Sequence, residues 1–550
     1  MNKLKIFSFL LLLGLSACKD QLDVENPNQP SSGAVTTESG IMSFGQGIYI
    51  TGFKDLKYYD GVPGYFWSGA IGFHELMGDV IGTDIANVYI NQIGCPNSVT
   101  LDDGTVMLNP SSPNEQITFI RTTANLISAA GDNSTYYEWA YMYNLNNVCN
   151  TLLENVDNIT YTGDSDTKKN TIKAWAYWWK GYAYSRIGSI YYAGIINDLA
   201  NGAVLNGTNG NYVTKEAMIA AATENFDKAI TALNAITTTS DYNTVLTGLI
   251  PSFNLTGHGG LLTPEMWKRN INTMKARNIL VNTKASAMTA AQWAQILTLT
   301  QDGIKSSDYV FTGRSNTNGD FLSPTTGTVS AKTTGASNTY KISERLIQDF
   351  KTGDNRFSNN FTQRSSAYIG EVSRGNSFYT RYQLVNRGSV TGDATVIEYS
   401  NTNAGGYELF LAGSYEENAL MQAEALIYTG SIEEGLALID AVRTSQGAGI
   451  DAVAGTGLSL TEAKEELRRE RRIGLLFRAL SFYDARRWGV IDAVADGGGR
   501  TNAVALSTTG VVSTSATIDY NFLDYWDVPA QELTYNPAAE GSATTTNPKN

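Results

Sequence analysis

LRRERRIGLLFRALSFYDARRWG, residues 467–489, contains seven arginines in 23 positions. The 550-residue chain that carries this stretch is acidic, with a formal net charge of -13 and a sequence pI near 4.8. Because phosphate binding requires a basic protein surface, the composition argues against nucleic acid as a partner. We therefore expect carboxylates inside the fold to neutralise these arginines.

The arginines alternate with acidic residues at helical spacing. Ser459 and Glu462 form a capping-box pattern, which predicts the start of a helix. Opposite charges three and four positions apart then fall side by side on that helix. These residues are Glu462, Glu465, Glu466, Glu470, Arg468, Arg469, Arg471 and Arg472. An apolar run follows, and then Asp484, Arg486 and Arg487. Planar guanidinium groups suit buried carboxylates, so we interpret this charge as a structural connection between helices.

Much of the remaining chain predicts paired helices. A helix over 415–428 stops at Gly430 and is followed by another over 432–443, which Ser431 and Glu434 would open as a capping box. Thr263-Pro264 and Thr289 with Gln292 predict two further helix starts. The other predicted pairs are 136–156 with 171–190 and 216–236 with 264–281. The pattern predicts a mainly α fold of degenerate tetratricopeptide-type hairpins with minor β structure. A plain irregular helical domain is the alternative.

The N-terminus predicts a lipoprotein signal. Lys3 and Lys5 precede an apolar run that ends in Leu15-Ser16-Ala17-Cys18. We assign residues 1–17 to a signal peptide, Cys18 to lipidation (palmitate among the acyl chains), and 18–33 to a tether. A signal peptide with a chance cysteine is the alternative. The sequence does not decide whether Cys95 and Cys149 pair, although two separate buried thiols are favoured.

Residues 34–550 are assigned to a single domain. Hairpin repeats are expected at about 136–306 and 408–490. Loop-rich stretches at about 57–110 and 310–405 are expected to form a binding surface, since long loops in a compact protein are commonly functional.

Catalytic patterns are scarce in this sequence. His74 and His258 are isolated, and neither HExxH nor GxSxG occurs. The run DGGGR at 496–500 lacks the Lys-Ser/Thr of a phosphate loop. We therefore expect no catalytic residues, no metal and no cofactor, and we favour a binding protein over an enzyme. A surface hydrolase is the alternative.

The segment ERRIGLLFRALSFYDARRWG (470–489) resembles the signature of the SusD/RagB family of nutrient-binding outer-membrane lipoproteins. The lipobox at Cys18, the hairpin at 414–449 and the segment WDVPAQELTYNP (526–537) agree with that family in order. The resemblance covers essentially the whole mature chain and is most specific from about 408 to 537. At Leu476-Phe477-Arg478 relatives more often carry Phe-Glu-Gly, which puts one local ion pair in doubt.

The resemblance implies a helical frame that docks on a SusC-like TonB-dependent transporter at the outer membrane. Its loop surface would capture a nutrient, usually an oligosaccharide and in some members a peptide. The protein would then act as a lid that delivers this ligand, anchored to the membrane by lipid and exposed at the cell surface. A RagB-like peptide binder and a structural scaffold are the alternatives.

Aromatic residues mixed with polar ones mark the candidate ligand surface, because sugar rings stack on Tyr and Trp. The first candidates are Tyr58, Tyr59, Tyr65, Trp67, Asp79, Asp84 and Asn87. Tyr379 and Arg381, which alternate as on an edge strand, are the second. The alternative is that these aromatics pack loops onto the helices. Asp79 and Asp84 could also hold a calcium ion, although their spacing matches no calcium-loop motif.

Overall fold

The computed structural model describes residues 35–53, 71–83, 88–129, 131–200, 209–314, 340–371, 379–384 and 408–550. The helices are α1 (Glu38–Phe53), α2 (Ile71–Met77), α3 (Val88–Asn91), α4 (Gln116–Phe119), α5 (Tyr136–Asn155), α6 (Ser165–Ile190), α7 (Lys215–Asn234), α8 (Thr239–Leu249), α9 (Pro264–Val281), α10 (Ala290–Gln301), α11 (Glu344–Gln348), α12 (Asn355–Asn360), α13 (Tyr415–Thr429), α14 (Ile432–Ser445), α15 (Leu460–Gly474), α16 (Ser481–Arg487) and α17 (Ala530–Tyr535).

The strands form small antiparallel sheets around this helical frame. They are β1 (Ile81–Thr83), β2 (Ser98–Thr100), β3 (Val106–Leu108), β4 (Ala193–Ile195), β5 (Tyr212–Thr214), β6 (Phe311–Gly313), β7 (Tyr340–Ile342), β8 (Phe361–Tyr368), β9 (Thr380–Leu384), β10 (Leu409–Ala412), β11 (Arg500–Leu506) and β12 (Val512–Asp519). One sheet has the order β11-β12-β2-β3, and the two-stranded sheets pair β1 with β7, β6 with β10, β4 with β5 and β8 with β9. The predicted mainly α fold with minor β structure is confirmed.

Helices that follow one another in sequence pack together: α5 with α6, α6 with α7, α9 with α10, and α13 with α14. The helices predicted as a pair at 216–236 and 264–281, α7 and α9, do contact each other. They are not consecutive, however, because α8 intervenes, and α7 packs mainly along α6. Glycines allow that close approach. A Cβ at Gly181 would lie 2.6 Å from the ring of Phe226, and one at Gly188 would lie 2.9 Å from the backbone oxygen of Lys215.

Three of the four predicted helix starts are confirmed by hydrogen bonds. Thr263 accepts from the N–H of Met266, and both capping boxes, Thr289 with Gln292 and Ser459 with Glu462, are formed. The box at Ser431 is wrong, since its side chain makes no capping bond. Gly430 ends α13 at a φ of 99°, and the N–H of Ser431 then bonds back to the carbonyl of Leu426 at 2.9 Å. The turn is so short that Ser431 closes the first helix instead of capping the second.

The expectation that carboxylates neutralise the arginine stretch is confirmed for Arg471, Arg472 and Arg487, which are buried. The carboxylate of Asp484 accepts hydrogen bonds from Nε of Arg471 at 2.9 Å and from Nε of Arg487 at 2.7 Å. The guanidinium of Arg487 also donates to both carboxylate oxygens of Glu424 on α13. The side chains of these four residues are at most 4% exposed. A second buried group joins Glu470 to Arg356 and Arg443. Arg468 and Arg469 lie at the surface instead.

Arg486 of the same stretch binds backbone oxygens at the ends of two helices. Its guanidinium donates to the carbonyls of Ser189 at 2.7 Å and Val281 at 2.8 Å, and also to that of Asp524 at 3.0 Å. The last carbonyls of a helix have no partner within the helix and carry partial negative charge. Arg486 therefore fastens the C-terminal ends of α6 and α9 to the C-terminal segment of the chain.

The predicted separate thiols are confirmed: Cys95 and Cys149 are both buried and are not joined by a disulfide. Burial also raises the pKa of the Cys149 thiol to about 12. A thiol buried in this way is unreactive and serves as a small apolar side chain.

Replacing Ala479 by Gly is expected to raise the free energy of unfolding by about 0.5–1 kcal/mol. Ala479 lies in the turn between α15 and α16 at a φ of 57°, where a Cβ is strained and glycine is not. Its N–H donates to Glu75 at 2.8 Å, and burial raises the pKa of that carboxyl to about 7. Chemical denaturation measures the change. The matched control, Ala485→Gly inside α16, should instead lower stability; a loss of stability in both variants would contradict strain at Ala479.

Candidate functional site

Six of the predicted ligand residues, Tyr58, Tyr59, Tyr65, Trp67, Asp84 and Asn87, lie outside the described residues. Asp79, Tyr379 and Arg381 are described. The described residues next to several of the undescribed segments lie in or beside the short two-stranded sheets.

One group of ends surrounds the β6–β10 pair. Leu409 lies opposite Gly313, so the described residues just before segment 315–339 and just after segment 385–407 are adjacent. The ring of Phe53, which precedes segment 54–70, would be 2.6 Å from a Cβ at Gly313. Phe53 also packs edge-to-face on Phe253, with ring centroids 5.6 Å apart. The described residues that flank segments 54–70, 315–339 and 385–407 therefore lie together at the β6–β10 pair.

Aromatic packing fixes this place to the helical frame. Phe311 at the start of β6 is buried against Trp178 of α6, with ring centroids 4.1 Å apart. Trp267 of α9 contacts the same phenylalanine ring at 5.6 Å. Large aromatic contacts of this kind contribute strongly to packing energy, so the strand pair is attached rigidly to the hairpins.

A second group of ends surrounds the β1–β7 pair. Thr83 lies opposite Tyr340, which joins the start of segment 84–87 to the end of segment 315–339. In the β8–β9 pair, Tyr368 lies opposite Thr380 on either side of segment 372–378. The β9 strand lies beside β7. The 57–110 and 310–405 stretches, far apart in sequence, thus share common bases.

Asp79 lies in the interior, two residues before β1, with 1% of its surface exposed. Its carboxylate accepts from Arg345 at 2.8 Å, Ser343 at 2.9 Å and Tyr520 at 2.5 Å, and Arg500 lies 3.2 Å away. Burial alone would raise the pKa of Asp79, but the adjacent Arg345 and Arg500 outweigh it and lower the pKa to about 2. Asp79 is therefore a fixed counter-charge in the interior, and its position does not support contact with a ligand.

Tyr379 and Arg381 do not share one surface. Tyr379 is 2% exposed, whereas the side chain of Arg381 is 28% exposed. The guanidinium of Arg381 pairs with Glu344 of α11 at 2.7 Å, and its backbone N–H donates to the same carboxylate at 2.6 Å. Arg381 thus fastens β9 to α11, and a part of its side chain remains open to solvent.

His258 and Glu408 form a contact that sequence reasoning missed. The imidazole Nδ1 bonds to the carboxylate of Glu408, and the backbone N–H of His258 donates to the same oxygen at 3.2 Å. This contact raises the pKa of His258 above its ordinary 6.5. The two residues are 150 positions apart, so no local pattern could have indicated their pairing.

Within the ranges described above, no group of three or more His, Cys, Asp or Glu side chains is placed to hold a metal ion. A search of the same ranges for a helix long and apolar enough to cross a membrane also found none.

Comparison with known proteins addresses the family. Residues 415–549 match the model of the SusD family. A SusD-like carbohydrate-binding protein from Bacteroides fragilis aligns over 92% of this chain and 99% of its own, at 14% identity and a TM-score of 0.56. NanU of B. fragilis aligns over 95% and 100%, at 13% identity and a TM-score of 0.55. A structure solved with a xylogluco-oligosaccharide aligns over 88% and 98%, at 14% identity and a TM-score of 0.51. No curated protein sequence matches the chain.

The fold of the chain is SusD-like, and residues 415–549 match the SusD family in sequence. The matched residues include the arginine stretch. The likeness in fold to solved structures extends over nearly the whole chain. At these identities the structural likeness shows the fold alone.

The departure at Arg478 from the SusD-like signature creates a different ion pair. Its guanidinium bonds to Glu416 at 2.7 Å and to Ser414 at 2.6 Å, both at the start of α13. It also lies 4.0 Å from the ring centroid of Phe410 on β10. The basic residue therefore connects the signature to the strand at which segment 385–407 ends.

The site of this SusD-like chain is thus a set of loop bases held by buried charges and aromatic rings. Asp79, with a pKa of about 2, is ionised at neutral pH and exchanges no proton there. Such an arrangement holds loops in position relative to one another. This suits binding by surface loops on a rigid scaffold.

Proposed function

We propose that this protein is a lipid-anchored outer-membrane lipoprotein that binds a glycan without chemically changing it. It would pass this ligand to a SusC-like TonB-dependent transporter. The observation that carries the proposal is the meeting of the loop ends at β6–β10 and β1–β7 on a SusD-like helical frame. The solved structures that the chain resembles include a SusD-like carbohydrate-binding protein and one solved with a xylogluco-oligosaccharide, which supports a glycan as the ligand class.

Within this proposal, Tyr58, Tyr59, Tyr65 and Trp67 would supply the stacking platform, with Asp84 and Asn87 bonding sugar hydroxyls. Arg381 would contribute at the margin, since its side chain is partly exposed. Each stacked aromatic adds about 0.5–1.5 kcal/mol beyond burial, so the isolated protein should bind with micromolar to millimolar affinity. Closure over the transporter would bury more of the ligand and tighten its retention.

Trp67→Ala is expected to weaken glycan binding several-fold and to leave the melting temperature nearly unchanged. A glycan array that includes xyloglucan oligosaccharides would identify a ligand, and calorimetry with that ligand would give both affinities. Tyr535→Ala removes an aromatic side chain that is 72% exposed, outside the candidate segments, and serves as the control. Normal binding by the Trp67 variant together with lowered stability would assign Trp67 to packing.

The same preparations distinguish the other functions. Binding to a peptide library and not to the array would indicate a RagB-like peptide binder. Binding to neither would indicate a structural scaffold, and turnover of a bound glycan would indicate a hydrolase. For the anchor, Cys18→Ala should release the protein from the outer-membrane fraction and abolish co-purification of a TonB-dependent transporter. Retention of that variant in the membrane would contradict lipidation at Cys18.

A further inference from the structure

The loop between α8 and α9 is attached to two strands through His258. Its carbonyl accepts from the N–H of Val310 at 3.1 Å, beside an isolated parallel bridge between Gly259 and Val310. On its other side, His258 contacts Glu408 through both its backbone N–H and its ring. The loop therefore touches the chain just before β6 and just before β10.

The loop is shaped to receive the Glu408 carboxylate. Gly257 adopts a φ of 56°, and a Cβ at this position would collide with the Glu408 oxygens. The side chain of Glu408 is only 8% exposed, whereas that of His258 is 56% exposed. The carboxylate is thus enclosed by the loop, and the imidazole on it remains open to protons from solvent.

Charged groups on three neighbouring elements face His258. Hydrogen bonding to Glu408 is the main cause of its raised pKa, and Glu416 of α13 acts in the same direction. Partial burial and Arg478, from the turn before α16, act in the opposite direction. The ring of Phe410 lies 6.2 Å away, and Tyr309 packs on Gly260 in the same loop. The balance favours the protonated imidazole.

We propose that His258 and Glu408 form a proton-operated clamp that fastens the start of β10 to the loop between α8 and α9. With His258 protonated, the ring-to-carboxylate bond is charge-assisted and the clamp is tight. With His258 neutral, only ordinary hydrogen bonds remain and the clamp loosens. Because β10 pairs with β6, the clamp controls how firmly the common base of segments 315–339 and 385–407 is fixed.

The direction of the pH dependence follows from the raised pKa. A group whose pKa is higher in the closed state than in the open state stabilises the closed state fully below its open-state value, about 6.5 for histidine. That stabilisation is lost as pH rises through the pKa of the closed state. The clamp should therefore be tight in acid and weaken as pH rises above 6.5.

The chain has two histidines, which makes the titration simple to follow by NMR of the imidazole carbons. His74 is fully buried, and burial lowers its pKa, so it serves as an internal reference. We expect His258 to titrate above 6.5 in the parent protein. Its pKa should fall towards 6.5 in Glu408→Gln and fall less in Glu416→Gln. A His258 pKa unchanged by Glu408→Gln would overturn the clamp.

Hydrogen exchange of the Leu409–Ala412 amides tests the mechanical consequence. After correction for base catalysis, protection should fall as pH rises through the His258 titration. The total fall should be tenfold for each unit by which the His258 pKa exceeds 6.5. In His258→Gln, which keeps a neutral donor, protection should be independent of pH. Protection that still falls with pH in this variant would overturn the proposal.

A last measurement rests on the proposed function. With the best glycan from the array, the parent protein should lose affinity as pH rises, and His258→Gln should show a flat profile. A flat profile in the parent would overturn the coupling of the clamp to ligand capture. Absence of glycan binding at every pH would instead count against the proposed function, while the titration and exchange results still decide the clamp.

Discussion

Arg487→Ala is expected to lower the free energy of unfolding by about 3–5 kcal/mol, as typically follows when one partner of a buried ion pair is removed. Arg487 donates to both oxygens of Glu424 and to Asp484, and all three side chains are at most 4% exposed. Removing it leaves Glu424 in the interior with Arg471 as its nearest cation, 4.0 Å away. Urea denaturation of both proteins would measure the loss.

Arg468→Ala is the matched control for this experiment. The side chain of Arg468 is 37% exposed and pairs with Glu465 on the same helix, so its removal should cost under about 1 kcal/mol. Adding Glu424→Gln to Arg487→Ala should recover part of the loss, because the stranded negative charge is removed. Equal, small losses of stability in Arg487→Ala and Arg468→Ala would contradict burial of Arg487 and would indicate that the whole stretch is exposed.

Asp79→Ala is expected to cost a similar amount, about 3–5 kcal/mol, because it removes the buried carboxylate that pairs with Arg345 and Arg500 and accepts from the hydroxyl of Tyr520. Asp79 connects the turn before β1 to α11, to β11 and to the residue that follows β12. Its loss should therefore also increase hydrogen exchange of the β1 and β7 amides. Thermal and urea unfolding would measure stability, and exchange would locate the damage.

The pH dependence of the Asp79 contribution has a definite sign. Its pKa is lowered to about 2, so the stabilisation is present above the ordinary value of 3.8 and is lost as pH falls towards 2. The difference in stability between parent and Asp79→Ala should therefore shrink over that range. The control, Asp451→Ala, removes an exposed carboxylate and should change stability by under about 0.5 kcal/mol. A loss of glycan affinity by Asp79→Ala without any loss of stability would contradict the interior role.

Local signals in the sequence predicted the frame well. The capping boxes at Thr289 and Ser459 and the stop at Gly430 depend on residues within a few positions of one another. Alternating charges at 462–472 likewise indicated ion pairing, although the main partners of the buried arginines, such as Glu424 and Asp349, lie elsewhere in the chain. The predicted cap at Ser431 was wrong because this residue closes the end of α13 and does not also cap the start of α14.

The predicted site depended on contacts at long sequence separation, which composition does not encode. Asp79 was grouped with nearby aromatics as a ligand contact, whereas its partners Arg345 and Tyr520 are 266 and 441 positions away. His258 was judged isolated because Glu408 is 150 positions distant. The six ligand candidates at 58–67, 84 and 87 stay predictions.

The sequence by itself determined most of the helices, the caps at Thr289 and Ser459, the stop at Gly430, and the internal role of most of the arginine stretch. These features depend on backbone hydrogen bonds and side-chain spacing within one or two helical turns. Only the tertiary structure decided which carboxylate each arginine meets, that Asp79 is buried, and that the 57–110 and 310–405 stretches share the bases at β1–β7 and β6–β10. Strand pairing and charge burial are set by how distant segments pack together, and short-range patterns contain no information about that.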